Sequence, residues 1–201
     1  MKEILVATRN KKKLLELKRL LKGSGVRVLS LDYFDNLPKV KEDKRTFEEN
    51  AKKKALEISS QIDKLVMADD SGLEVPALGN APGVNSARYA GPAQNDARNI
   101  TKLLDRMKNL SGKRRKAHFK CVICLSKGKR VMRILEGKVK GMIAEDSKGN
   151  YGFGYDPVFV PDGFEKTFAQ LGPRIKDRIS HRSIALKKAR DVIQEYFQRY
   201  S

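Results

Sequence analysis

The 201-residue chain is predicted to be an α/β protein, with a mixed, twisted central sheet flanked by helices. Two patterns carry that expectation. Apolar strand-like runs alternate with helical periodicities through the first half, in the order strand, helix, strand, helix, strand. After a further helix, two long strand-like segments flank Lys127-Gly128-Lys129, the pattern of a hairpin and a two-stranded extension.

Residues 2–8 read as a buried strand ending at Thr8. Asn10 stands where it can cap a helix whose Leu14, Leu17 and Leu21 recur at helical spacing. Residues 25–31 read as a second strand. A polar loop, residues 39–45, leads to Thr46 and Glu49, the two ends of a capping box. Ala51, Ala55, Ile58 and Ile62 then mark an inner helix face, with Lys52, Lys53 and Lys54 on a wet face. Leu65 to Ala68 is a buried strand, and Gly72 lets the backbone turn sharply where it ends. Ile100, Leu103, Leu104 and Met107 outline another helix, and the hairpin strands span 116–126 and 130–143. Ser180 can cap a C-terminal helix buried through Ala185, Ala189, Val192 and Ile193.

The length suits one domain, residues 1–201, with room for two lobes and a real core. With 43 Lys and Arg against 24 Asp and Glu, the net charge is +19 and the pI near 10.0. Such a balance draws anions, although the basic residues are spread along the chain and most read as solvated faces. No apolar run is long enough to cross a membrane and no secretion signal is visible, so a cytoplasmic protein without a membrane partner is expected. Cys121 and Cys124 form a C-x-x-C. On a strand, residues three apart face opposite sides, so they read as structural thiols that neither bridge nor share a metal. With only His118 and His181, a zinc cluster lacks ligands.

Three stretches carry candidate chemistry. Asp69-Asp70-Ser71-Gly72 lies where ligands bind in open α/β sheets, outside the carboxyl end of a strand. Neighbouring Asp residues on extended backbone point to opposite sides, so one faces the site and the other caps a segment or holds a Lys. The same four residues also read as an Asx turn. Thr8-Arg9-Asn10-Lys11-Lys12-Lys13, at a strand-to-helix junction, offers backbone N–H groups, a hydroxyl, an amide and lysines to phosphate, without the glycines of a Walker loop. Glu42 is a candidate second ligand for a hard cation, or an ordinary surface Glu. In Gly152-Phe153-Gly154-Tyr155-Asp156-Pro157 the glycines let an aromatic ring stand out and stack on a flat ligand. The alternative is a glycine-rich loop with its aromatics in the core. Lys176 and the Ser180-His181-Arg182 helix start offer donors to a base carbonyl.

Together, residues 7–13, 46–51, 68–73, 82–89, 152–157 and 180–182 resemble, in order and spacing, the inosine triphosphate pyrophosphatase (Ham1-like) family over essentially the whole chain. The resemblance implies a two-lobed fold with an active-site cleft. It also implies Mg²⁺-dependent hydrolysis of ITP, dITP and XTP to the monophosphate and pyrophosphate, a nucleotide-pool sanitation activity, and a homodimer that binds no nucleic acid polymer. Carried over by position, Thr8, Asn10 and Lys13, within the stretch that also holds Arg9, Lys11 and Lys12, would bind the triphosphate. Glu42 and Asp70 would bind Mg²⁺, with Asp70 also the general base. Ser71 would contact substrate. Phe153, in the loop with Gly154 and Tyr155, would stack on the purine. Asp156, Lys176, His181 and Arg182 would read its edge. Gln170 stands where the family commonly has Glu, which puts in doubt any helper role for an acid there. Two other readings remain open at this point: a nucleic-acid binder, motivated by the charge, and an acid-metal phosphatase for other small phosphates.

Overall fold

The structure, a computed structural model, describes residues 2–199. In chain order these form β1 (Glu3–Val6), α1 (Lys11–Leu21), β2 (Arg27–Ser30), α2 (Phe47–Ser59), β3 (Leu65–Val75), β4 (Ala81–Pro82), α3 (Asp96–Met107), β5 (Lys116–Lys127), β6 (Arg130–Ile143), β7 (Phe159–Pro161), α4 (Phe168–Ile179) and α5 (His181–Arg199). The strands hydrogen-bond in the order β2-β1-β3-β5-β6-β7, with β4 on β3. β1 is parallel to β2 and β3, while β4 and β7 run antiparallel to β3 and β6. The predicted mixed α/β sheet is therefore observed. No helix among the described residues is long and apolar enough to cross a membrane.

The chain divides into two compact units. The first comprises the N-terminal segment through Asp70, Cys121–Gly137 and the segment from Arg182 onward; the second comprises Ser71–Lys120 and Lys138–His181. β3, β5 and β6 each contribute to both.

In the first unit, Ile4, Val6, Leu65, Met67, Cys121, Ile123 and Leu125 from the strands pack with Leu17 and Leu21 of α1 and Ala185, Leu186, Ala189 and Ile193 of α5. Asn10 caps α1 as expected, accepting from Lys13 N at 3.1 Å. Thr46 and Glu49 close the capping box on α2. That helix ends at Ser59, so Ile62 lies beyond it, half-buried. Both cysteines are free and buried.

The second unit is built on Leu73, Val75, Leu103, Met107, Phe119, Phe159 and Phe168. Here the structure corrects the expectation at Gly72. β3 does not end there but runs on to Val75. A Cβ on Gly72 would meet Ser86 Oγ and, at 2.6 Å, Gly83 O, so the glycine permits close approach of another segment rather than a turn. α4 was not foreseen. Gly172, at φ 75° in its middle, interrupts the helical backbone just before Pro173 and so breaks the periodicity a sequence reading relies on.

Candidate active site

In the first unit, β1 leads directly into the capped start of α1, and Lys13 in that first turn reaches Asp69 of β3, Nζ to Oδ2 at 3.3 Å. Arg182, at the start of α5, lies on the same carboxylate, Nε to Oδ2 at 3.5 Å, and pairs closely with Glu16 of α1. Burial alone would raise the Asp69 pKa, but Lys13, Arg182 and Lys54 outweigh it and hold this carboxyl well below its ordinary value. Asp69 is thus an ionised anchor for cations.

Its neighbour differs. Asp70 points elsewhere on the strand and accepts from Asn50 Nδ2 at 3.0 Å. Burial pushes its pKa up, Lys13 and Lys54 pull against that, and the charges of Glu42 and Asp69 add to the rise. Two adjacent carboxyls are thereby driven in opposite directions, the arrangement that separates an electrostatic partner from a proton acceptor. Lys54 closes the cluster. Its Nζ donates to Asp69 O at 2.5 Å and also pairs with Glu42. Burial works against ionised Glu42, but Lys54 and Lys13 outweigh it and lower its pKa.

In the second unit, Asp156 is 1% exposed. It accepts from Phe153 N at 2.8 Å and from Lys176 Nζ at 2.6 Å. That ammonium also stands 4.7 Å from the centre of the half-buried Phe153 ring, a cation–π distance. Asp156 therefore fixes both the loop and the lysine beneath the ring. Tyr155 is buried and donates to Ser86 O at 2.9 Å. The His181 ring stacks on Phe119, centres 4.7 Å apart. Such a ring over a fixed cation suits a flat, electron-rich heterocycle, and the cluster of carboxylates and ammoniums in the first unit suits a phosphate chain with a hard cation.

A family model described as the Ham1 family matches residues 4–192. The chain belongs to the Ham1 family. A dITP/XTP pyrophosphatase of Clostridium perfringens is 46% identical over 200 residues, spanning 96% of this chain and 98% of its own. One of Bacillus subtilis is 42% identical over 194 residues, spanning 96% and 98%. The solved structure of the Staphylococcus aureus Ham1 protein superposes with a TM-score of 0.86 at 38% identity, covering 97% of this chain and 100% of that one.

Within this Ham1 chain, Lys13, Glu42, Asp70 and Arg182 share one electrostatic cluster in the first unit. Thr8 Oγ1 accepts from Asn10 N at 3.2 Å, Arg9 donates to Leu37 O, and the Lys11 and Lys12 side chains are exposed. Phe153, Asp156 and Lys176 form the second cluster, with Gly154 N donating to Asp96 at 3.0 Å. Ser71 is half-buried on β3. Sequence reasoning missed Asn50, Glu16 and Lys54, the last placed on a wet face although it is 7% exposed. Its signal was present: Lys54 lies four residues after Asn50 and next to Ala55, on the inner side of the helix. Gln170 caps α4, accepting from Thr167 N at 3.0 Å and donating its own N–H to Thr167 Oγ1. An amide oxygen serves that box as well as a carboxylate would.

Among the described residues, no three His, Cys, Asp or Glu side chains group as a metal site. Mg²⁺ does not require one, since it takes one or two carboxylates and fills its remaining positions with waters and substrate phosphates. Glu42 and Asp70 supply hard oxygen donors, and the charge of Glu42 acts on Asp70. The cost of burying Asp70 ionised is what a divalent cation would relieve. The donor set fits.

Proposed function

We propose that the protein is a nucleoside-triphosphate pyrophosphohydrolase acting on deaminated purine nucleotides, dITP, XTP and ITP, and releasing the monophosphate and pyrophosphate. The observation that carries the reading is the opposed pair on β3, Asp69 neutralised by cations and Asp70 buried with a raised pKa. The names of the relatives support the substrate class.

Asp70 accepts a proton from the water that attacks the α-phosphorus. The bond from that phosphorus to the α–β bridging oxygen breaks, and pyrophosphate departs with the bond's electrons. Lys13 supplies positive charge to the phosphates, while Asp69, itself paired with Arg182, holds the Lys13 ammonium in place. Mg²⁺, held by Glu42 and Asp70 when bound, would neutralise phosphate charge and acidify water. Phe153 stacks on the base. Lys176 offers a donor to the 6-oxo group, and facing the 6-amino group of adenine it would lose that partner, at a cost of about 1–3 kcal/mol. Exclusion of guanine, which shares the 6-oxo group, needs contacts at its 2-amino position. The reading extends to a cytoplasmic homodimer, checked by light scattering of the purified chain and by fractionation.

The test is incubation with ITP, dITP, XTP, dATP and dGTP with Mg²⁺, followed by separation of products. Pyrophosphate from the first three is expected. Orthophosphate, or equal rates on all five, would refute the bond or the selectivity.

A further inference from the structure

A groove of about 500 Å³ lies in the first unit between the start of β6 and the end of α5, and neither Lys13 nor Asp70 lines it. Val192, Glu195, Tyr196 and Arg199 face it, the i, i+3, i+4, i+7 stripe of one helix side. From the strand, all four residues of Arg130–Arg133 line it. Successive strand side chains point to opposite faces, so the groove looks onto the edge of β6 rather than onto one of its faces.

Its chemistry is divided. Met132, Val192 and Tyr196 are half-buried and pack against the core, giving an apolar, partly aromatic floor. Arg130, Arg133 and Arg199 are exposed around it. Among the described residues Glu195 is the one acid in the lining, against these three arginines and Lys127, whose ammonium is engaged by Asp63. Guanidinium groups present paired N–H donors that match phosphate oxygens. An aromatic floor offers the face on which a base stacks. The volume falls in the range of small-molecule sites, about 300–1,000 Å³.

We infer that this groove between β6 and α5 is a second ligand site, taking a nucleoside phosphate with its base on the Tyr196 floor and its phosphate among Arg130, Arg133 and Arg199. An anion without an aromatic body would leave the floor wet, and an uncharged nucleoside would leave the arginines unused. The inference does not rest on the activity proposed above.

The test uses the full chain carrying Lys13→Ala and Phe153→Ala, which removes the proposed substrate contacts, and titrates it with AMP by calorimetry. Saturable binding at one site is expected. Adding Arg130→Ala and Arg133→Ala should weaken it by about tenfold or more, the scale of losing charge-assisted bonds, with an unchanged circular dichroism spectrum and melting temperature because both side chains are exposed. Ribose 5-phosphate and adenosine should each bind about tenfold more weakly than AMP. Absence of saturable AMP binding, or AMP binding indifferent to the two arginines, would overturn the inference. Ribose 5-phosphate binding as well as AMP would overturn the nucleoside class. A change of oligomeric state in the arginine variant would assign the groove to a second copy of the chain instead.

Discussion

Lys54 Nζ donates to the main-chain carbonyl oxygen of Asp69 at 2.5 Å. A lysine on α2 thereby holds the strand segment that carries both candidate carboxylates, and its pairing with Glu42 ties the polar loop before α2 to the same point. Lys54→Met should leave the carbonyl and the glutamate without this donor. A fall in melting temperature of about 2–8 °C is expected, from about 1–2 kcal/mol for the lost bonds. The loss of kcat/KM should be larger than that loss of folded protein explains. Normal turnover by the folded variant would separate Lys54 from the site.

Asp70→Asn keeps a group able to bond Asn50 but removes the proton acceptor. Turnover should fall by about 10²–10⁴-fold. The melting temperature should stay level or rise, because burial disfavours the ionised carboxyl and its replacement relieves that cost. Steady-state rates and thermal denaturation of the same preparation check both halves. Near-normal turnover would end the general-base assignment.

Phe153→Ala removes the ring over Lys176. Base stacking on an aromatic side chain contributes about 1–3 kcal/mol, so KM for the best nucleotide should rise by about 5–150-fold, with a smaller change in kcat. Unchanged kinetics would favour a phosphatase indifferent to the base.

Arg115 is buried in the second unit, and among the described residues no carboxylate hydrogen-bonds to it. It donates instead to the carbonyls of Met107, Leu110, Ile143 and Ala144 at 2.7–3.0 Å, joining the end of α3 to the end of β6. Its charge also sits favourably at a helix C-terminus. Arg115→Met should cost on the order of 3 kcal/mol, a fall of about 6–12 °C in melting temperature, while activity per folded molecule at 25 °C is preserved.

The thiols of Cys121 and Cys124 are each pushed up to about 12 by burial. Only the thiolate reacts, and at pH 8 about one part in 10⁴ would be ionised. Iodoacetamide should leave the native protein unmodified by mass spectrometry and add two groups after unfolding. A fast adduct on native protein would contradict the buried placement.

The local elements were legible because local chemistry determines them. Asn10 and the Thr46–Glu49 pair cap their helices through bonds spanning three residues, and apolar periodicity located α1, α2, α3, the hairpin and α5. α4 escaped because Gly172 and Pro173 interrupt the pattern that would have announced it. At Gly72 the residue type was read as a turn, whereas the reason for it lies further along the chain at Gly83 and Ser86, where another segment comes too close for a Cβ.

For the site, residue types and spacing determined which stretches carry the chemistry, and the alternation of a strand determined that Asp69 and Asp70 face apart. Which of the two becomes the anchored ion and which the buried acceptor was decided only by folding. Electrostatic interaction depends on distance and desolvation, not on order along the chain. Lys13, Lys54 and Arg182 come from three separate helices, and only their convergence on β3 sets the two carboxyls apart.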